Sequence, residues 1–338
     1  MVHRYAQPAQ PAERGVLIIN PRSGGGKAER FNLTEEARKR RIEPLVLGPD
    51  DDLCALAARA ATRGADVIGM AGGDGSQGLV ASIAMEHDVA HVCVPSGTRN
   101  HFALDLGLDR DDVVGALDAF VDGIERRIDL ARLNGRIFVN NAALGIHARV
   151  VQSDAYRDSK LRTWRQMLPE VMGKEGTCCD LEFDVPHAKE DWGDASLVIV
   201  SNNPYQLRRF RGAGTRPELD TGLLGIFATR ARGAAVAKLV TLGTIAQHRR
   251  FGSVRQWSSL EFEVRASAPV AVGLDGEALM LVPPLRFDSL PGALRVRVPR
   301  NSAGVSPGWG TVPLTRKNLG ALLRIAAGKP AAATSGKV

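Results

Sequence analysis

Residues 65–98 read ADVIGMAGGDGSQGLVASIAMEHDVAHVCVPSGT, and their order decides the fold. ADVIGMA (65–71) is a short apolar run, expected as a buried strand. A glycine-bearing loop, Gly72 to Gly78, follows it, and a helix is expected over 79–87. VAHVCVP (89–95) is the next strand. Strand, helix and strand in this order describe a parallel sheet covered by helices. The alternation extends upstream through GVLIIN (15–20), a helix over 28–41, IEPLVL (42–47) and a helix over 53–63. That last helix opens behind Asp50, Asp51 and Asp52, acids that suit the positive end of a helix.

Three polar loops leave the carboxyl ends of these strands, the edge where open α/β sheets bind ligands. In the loop Gly72–Gly78, glycines let a ligand approach the backbone, and free N–H groups beside a helix N-terminus favour phosphate. Gly73, Gly75 and Gly78 fit G-x-G-x-x-G, but no acid ends the next strand, which argues against a dinucleotide fold. The loop Asn20-Pro21-Arg22-Ser23-Gly24-Gly25-Gly26-Lys27 fails the P-loop spacing at Pro21 and Ala28. The third loop is Pro95-Ser96-Gly97-Thr98-Arg99-Asn100-His101. Around Ser76, Asp74 stands where a nucleophile elbow needs glycine, so a serine hydrolase is disfavoured.

The pattern changes near residue 124. Asn134-Gly135 between two alternating runs is a hairpin signal. After two helical stretches (145–172), short strands dominate to residue 299, interrupted by one helix (232–248). The chain therefore reads as an N-terminal doubly wound parallel α/β nucleotide-binding domain with a C-terminal β-sandwich-like domain. The expected division is a disordered tail at 1–14, the α/β domain over 15–129, the β-rich domain over 130–299 and a disordered tail over 326–338.

The 338 residues carry 44 Lys and Arg against 37 Asp and Glu, a formal charge of +7. That mild excess suits a phosphorylated ligand or an anionic surface. Aromatic residues at 5% leave few platforms for stacking nucleic-acid bases, and nucleic acid is not an expected partner. Four cysteines without metal spacing point to a reducing, cytoplasmic setting. No apolar run reaches the roughly 18 residues of a membrane span, and the N-terminal residues lack a secretory apolar region.

Taken together, the chain resembles the diacylglycerol kinase catalytic-domain family, which includes bacterial lipid kinases and the sphingosine and ceramide kinases. The matching elements are Asn20-Pro21-x-Ser23-Gly24, Gly72-Gly73-Asp74-Gly75-Ser76, Pro95-Ser96-Gly97-Thr98-x-Asn100-x-Phe102-Ala103, Asn140-Asn141-Ala142-Ala143-Leu144-Gly145 and Asp275-Gly276-Glu277. The resemblance implies ATP with Mg²⁺ and transfer of the γ-phosphoryl group to a lipid hydroxyl. It implies a nucleotide site at Asn20, Ser23, Gly24, Gly72, Gly73, Asp74, Gly75, Ser76, Gln77, Gly78, Ser96, Thr98 and Asn100. It makes Glu277 the general base with Asp275 orienting the site, and Asp74 and Asp220 metal ligands. It also implies that the chain returns to the first domain over about 300–325. Read without the resemblance, Asp275-Gly276-Glu277 is a hairpin turn.

The chain departs from the family at His101, which stands in the place of an acid and puts the family's metal network with Asp74 and Asp129 in question, and at Thr221, which stands in the place of the second acid of a cation-binding loop where Asp220 is kept as a metal candidate. A kinase of a soluble substrate, similar to NAD kinases, and a non-catalytic nucleotide or lipid binder are the alternative readings. The resemblance implies a lipid substrate met peripherally at the inner membrane face, with a homodimer left open. The basic runs Arg208–Arg211, Arg249–Phe251 and Arg38–Arg41 are candidate docking surfaces, and Leu314–Ile325 is expected to pack on the α/β domain, with an interfacial helix as the alternative.

Overall fold

The computed structural model describes residues 6–145, 181–186, 192, 195–205, 216–230 and 254–302. Of the helical stretch expected over 145–172 only Gly145 is described, as the end of a strand; the rest of it, the helix expected over 232–248, the basic runs at 208–211 and 249–251, and the whole stretch from 303 onward lie outside the described residues.

Residues 6–14 are not the loose tail their composition suggests. β1 (Gln7–Pro8) pairs antiparallel with Ile124 and Glu125, and the Ala12 amide donates to the Phe120 carbonyl at 2.7 Å. Backbone pairing holds this segment, and composition carries no signal of it. β2 (Gly15–Ile19) is buried at every position, as a strand covered on both faces must be. The helix expected over 28–41 is two pieces, α1 (Lys27–Arg30) and α2 (Leu33–Lys39), parted where Asn32 takes a left-handed φ of 49°. β3 (Glu43–Val46) is only partly covered, and as an edge strand it tolerates Pro44. α3 (Leu53–Thr62) is capped by Asp52, whose carboxylate accepts from the Cys54 and Ala55 amides. β4 (Val67–Ala71), α4 (Asp74–Glu86), β5 (Ala90–Val94) and the short α5 (His101–Asp105) complete the alternation.

β6 (Gly123–Leu133) then turns through Asn134-Gly135 into β7 (Arg136–Phe138); φ values of 45° and 86° give the tight hairpin that Asn-Gly favours. β8 (Asn141–Gly145), β9 (Leu181–Glu182), β10 (Leu197–Asn202), β11 (Leu224–Thr229), β12 (Val254–Ser259), β13 (Glu261–Ala266), β14 (Val270–Leu274) and β15 (Glu277–Leu281) follow. The last described strand, β16 (Leu285–Pro299), has 15 residues.

The first sheet runs β1-β6-β16-β5-β4-β2-β3, with β7 beside β6 and with β13 and then β9 branching from β16. Its β3-β2-β4-β5-β16 stretch is parallel. The second sheet, β12-β11-β10-β8-β14-β15, is antiparallel and packs on the far end of the first. Phe138, Phe262 and Phe287 from one layer meet Leu144, Val198 and Ile226 from the other in a shared core, which makes the β-sandwich.

The two domains are not divided by a linker at 129/130. β6 and β16 form one antiparallel ribbon through both, with a register shift between Leu290 and Leu294. Beyond that shift, β16 lies parallel to β5 through Val296 and Arg297, so the return to the first sheet occurs before residue 300.

Candidate active site

β2 feeds β3 on one side, and the chain later comes back to β4 on the other. The loops leaving β2 and β4 therefore diverge and open a crevice at the carboxyl edge, which is the ligand position for this topology. The Asn20 amide donates to the Ala71 carbonyl at 2.9 Å, and its side-chain oxygen accepts from the Arg22 amide, which fixes the start of the first loop. Ser23 is half-buried there. Gly24, Gly25 and Gly26 all have positive φ, from 57° to 78°, a path closed to most residues. A side chain at Gly24 would strike the Ser96 carbonyl, so the first and third loops touch through backbone.

The second loop is shorter than the sequence suggests. Gly72 and Gly73 leave β4, and the helix starts at Asp74 rather than at 79. The first intrahelical bond runs from the Gln77 amide to the Gly73 carbonyl, leaving the Asp74, Gly75 and Ser76 amides without an intrahelical partner, an arrangement of the kind that suits an anion. Gln77 is buried and structural: its amide donates to the Met70 carbonyl at 2.8 Å and its oxygen meets His91. Burial holds His91 well down, at about 4. Gly78 is buried within α4.

In the third loop, Asn100 is left-handed and donates to the Pro95 and Gly97 carbonyls, both at 3.0 Å. Its Oδ1 and the Ser96 hydroxyl are buried without a hydrogen-bond partner, while Thr98 is exposed. Gly97 lies so close to the Gly73 backbone that no side chain fits between them.

Asp74 joins the second and third loops. Its carboxylate accepts from the Phe102 amide at 2.9 Å and from the His101 amide at 3.2 Å, at the start of α5. The contact uses the backbone of residue 101, so the histidine there does not disturb it.

The second domain supplies two carboxylates. Asp275 and Gly276 (φ 46° and 91°) make the tight turn between β14 and β15, so the motif is a hairpin and Glu277 is its first β15 residue. Glu277 is exposed, and its Oε1 lies 2.7 Å from where a Cβ on Gly75 would stand. The Asp275 Oδ2 lies 3.1 Å from the same point on Gly78. Asp275 accepts from the Val139, Asn140 and Asn141 amides at 2.8–3.1 Å. Burial nonetheless pushes its carboxyl up to about 7, against those three amides and helped by the charge of Asp74.

Asp220 belongs to another group. Burial raises the Asp129 carboxyl, with the Asp220 charge adding to it, and burial lowers the Arg126 guanidinium, which Asp220 partly opposes. Asp129 accepts from the Gly222 amide at 2.6 Å and the Gly292 amide at 2.8 Å. Thr221 is bound to Asn203 through its amide and hydroxyl. Among the described residues, no group of three or more His, Cys, Asp and Glu is arranged to hold a metal. Backbone amides occupy Asp74 and Asp129. Mg²⁺ carried on phosphates needs only one or two protein carboxylates, and Glu277, beside Gly75, is an exposed carboxylate at this helix end.

The sequence reading missed Arg216. It is fully buried, pairs with Asp105 on α5 and donates to the Val139 and Asn202 carbonyls and to Asn140 Oδ1. It thereby ties the first domain to the strands that hold Asp275. A lone arginine after a basic run gives no sequence signal of this role. Asn140 and Asn141 hold the hairpin: the Asn141 side chain donates to the Tyr205 hydroxyl at 2.8 Å, and both backbone amides donate to Asp275.

Residues 14–133 match the family model described as the diacylglycerol kinase catalytic domain. The chain is similar to the diacylglycerol kinases. The diacylglycerol kinase of Bacillus subtilis is 26% identical over 309 residues, spanning 86% of this chain and 98% of that one. A Pseudomonas aeruginosa protein named "Probable lipid kinase YegS-like" is 27% identical over 303 residues, covering 86% and 96%. A crystal structure of a diacylglycerol kinase from Bacillus anthracis superposes with a TM-score of 0.61 at 16% identity, over 87% of this chain and 100% of that one. That structural match supports the two-domain fold.

Proposed function

We propose that this protein is an ATP-dependent lipid kinase that transfers the γ-phosphoryl group to the hydroxyl of diacylglycerol or a similar lipid alcohol. The reading is carried by one observation: the β14–β15 hairpin of the second domain brings Glu277 against Gly75, at the helix end suited to phosphate. A phosphate donor and an acceptor hydroxyl would meet between them.

Phosphoryl transfer is mainly positioning and charge stabilisation. The Asp74, Gly75 and Ser76 amides would hold the donor phosphates, with Ser23, Gly24 and Thr98 lining the crevice. Glu277 would take the hydroxyl proton as that oxygen attacks the γ-phosphorus and ADP leaves. A base in this role contributes about 10²–10⁴-fold. Asp275 would orient the hairpin rather than react, since backbone amides occupy its oxygens. Mg²⁺ on the phosphates would offset the charge that develops there. The lipid would be met at the surface, at the inner membrane face; among the described residues no helix is long and apolar enough to cross a membrane.

The test is Mg²⁺-dependent ATP consumption against a panel of lipid alcohols in mixed micelles, beside NAD and sugar controls. Phosphorylation of a lipid, lost in Glu277→Gln, is the expected result. Turnover of NAD or a sugar with no lipid product would replace the lipid reading by a soluble-substrate kinase.

A further inference from the structure

At the amino edge of the parallel sheet, opposite the catalytic loops, lies a second cavity of about 580 Å³. β2 separates the two edges by five residues, or about 17 Å at ~3.3 Å per residue. Arg14, Arg41, Arg59 and Arg63 line the cavity, against two carboxylates, Glu13 and Glu43. Among the described residues none of the four guanidiniums is ion-paired, whereas most arginines on the ribbon strands are: Arg295 and Arg297 both bind Glu125. Four exposed cations against two carboxylates around one concavity leave an excess of positive charge that a bound anion would offset.

The walls are fixed. The Asp66 carboxylate accepts from the Glu13 and Arg14 amides, both at 2.9 Å, so the chain entering β2 cannot swing away. Arg14 Nη1 donates to the Arg63 carbonyl at 3.1 Å, across the mouth from α3. Arg41 sits at a φ of 60°, a left-handed conformation unfavourable for an arginine, which directs the chain from α2 into β3 at this rim. The C-terminal end of α3 contributes about half a negative charge, less than one guanidinium. The balance is clearly positive.

We propose that this cavity is a second, non-catalytic binding site for a phosphate-bearing anion. Guanidinium forks match phosphate oxygens two at a time, and a concave mouth of this size admits a phosphomonoester or diphosphate headgroup. The anion comes either from a lipid headgroup or from a soluble phosphate. In both cases the site is distinct from the glycine loops and independent of the kinase reading.

The test compares wild-type protein with the double variant Arg41→Asn, Arg59→Gln. Asparagine accepts the left-handed backbone, and residue 59 is exposed on α3, so the variant should keep its fold and melting temperature. Inorganic pyrophosphate, titrated calorimetrically without Mg²⁺, reports soluble phosphate; sedimentation with phosphatidic acid vesicles against neutral phosphatidylcholine vesicles reports the headgroup. The catalytic loops are unchanged in both proteins, so the difference reads this cavity. Loss of two charged hydrogen-bonding partners should weaken pyrophosphate or vesicle binding by about 10–100-fold. Weakening in the pyrophosphate arm alone identifies a soluble ligand, and weakening in the vesicle arm alone a lipid headgroup. Equal binding by both proteins in both arms would overturn the proposal, as would no binding in either.

Discussion

The two carboxylates of the β14–β15 hairpin lie close in sequence and differ in every physical respect. Glu277 is exposed and reaches toward Gly75, whereas Asp275 is held by three amides and kept near half-protonation at neutral pH. Glu277→Gln should therefore lower kinase turnover by about 10²-fold or more while leaving the melting temperature unchanged, read by steady-state kinetics and thermal denaturation together. Near-normal turnover would remove it from the mechanism. Asp275 gives a pH prediction. Its carboxyl rises from an ordinary 3.8 to about 7 in the fold, so the folded protein binds the proton more tightly than the unfolded chain. The stability it contributes is full below about pH 4 and is lost as pH rises through 7. Subtracting the stability–pH curve of Asp275→Asn from that of the wild type should leave a difference that falls over this window. A difference that rises would mean that the amides, not burial, dominate.

At the scale of elements, the glycine loop is largely a helix end. Gly75 is helical, and alanine there gains up to about 1 kcal/mol of helix propensity. Its new methyl would meet the mobile end of Glu277 rather than backbone. Gly75→Ala should thus hold or raise the melting temperature and yet reduce turnover by about 10²-fold through displacement of the base. Parallel losses in both would mean that the helix end itself had been damaged. The strands of this domain were readable because GVLII, VIGMA and AHVCV are buried on both faces and leave no polar alternation to mislead. The helix start was misplaced because four glycines in seven residues read as loop. What overrides their propensity is the Gly73 carbonyl bonding Gln77, together with the Gln77 side chain anchored on Met70. Asn134-Gly135 and Asp275-Gly276 were legible as turns because positive φ is written into those residue pairs. The placement of Glu277 against Gly75 was not, since it joins a helix and a strand separated by about 200 residues of sequence.

For the whole molecule, the contact that matters most is hidden. Arg216 and Asp105 are 0% and 3% exposed, and they fasten α5 to the second domain. Arg216→Met would leave a buried, unpaired carboxylate and should cost about 3–5 kcal/mol in denaturant unfolding. Adding Asp105→Asn should restore part of that loss, and strict additivity of the two changes would deny the coupling. The β6–β16 ribbon bears on how the protein is made. The family match stops at residue 133, yet the central place between β5 and β6 is filled by residues 294–299. A ribosome releases the N-terminal α/β half long before the strand that completes it. Until that strand arrives, the facing edges of β5 and β6 stand unpaired and open to any neighbouring chain. A fragment ending at residue 140 should accordingly aggregate or require a chaperone, whereas a circular permutant that places 285–299 ahead of residue 6 should fold without one. The last-synthesised described strand is thus the keystone of the first-synthesised domain, and a nascent chain is committed to its fold only when both halves have left the ribosome.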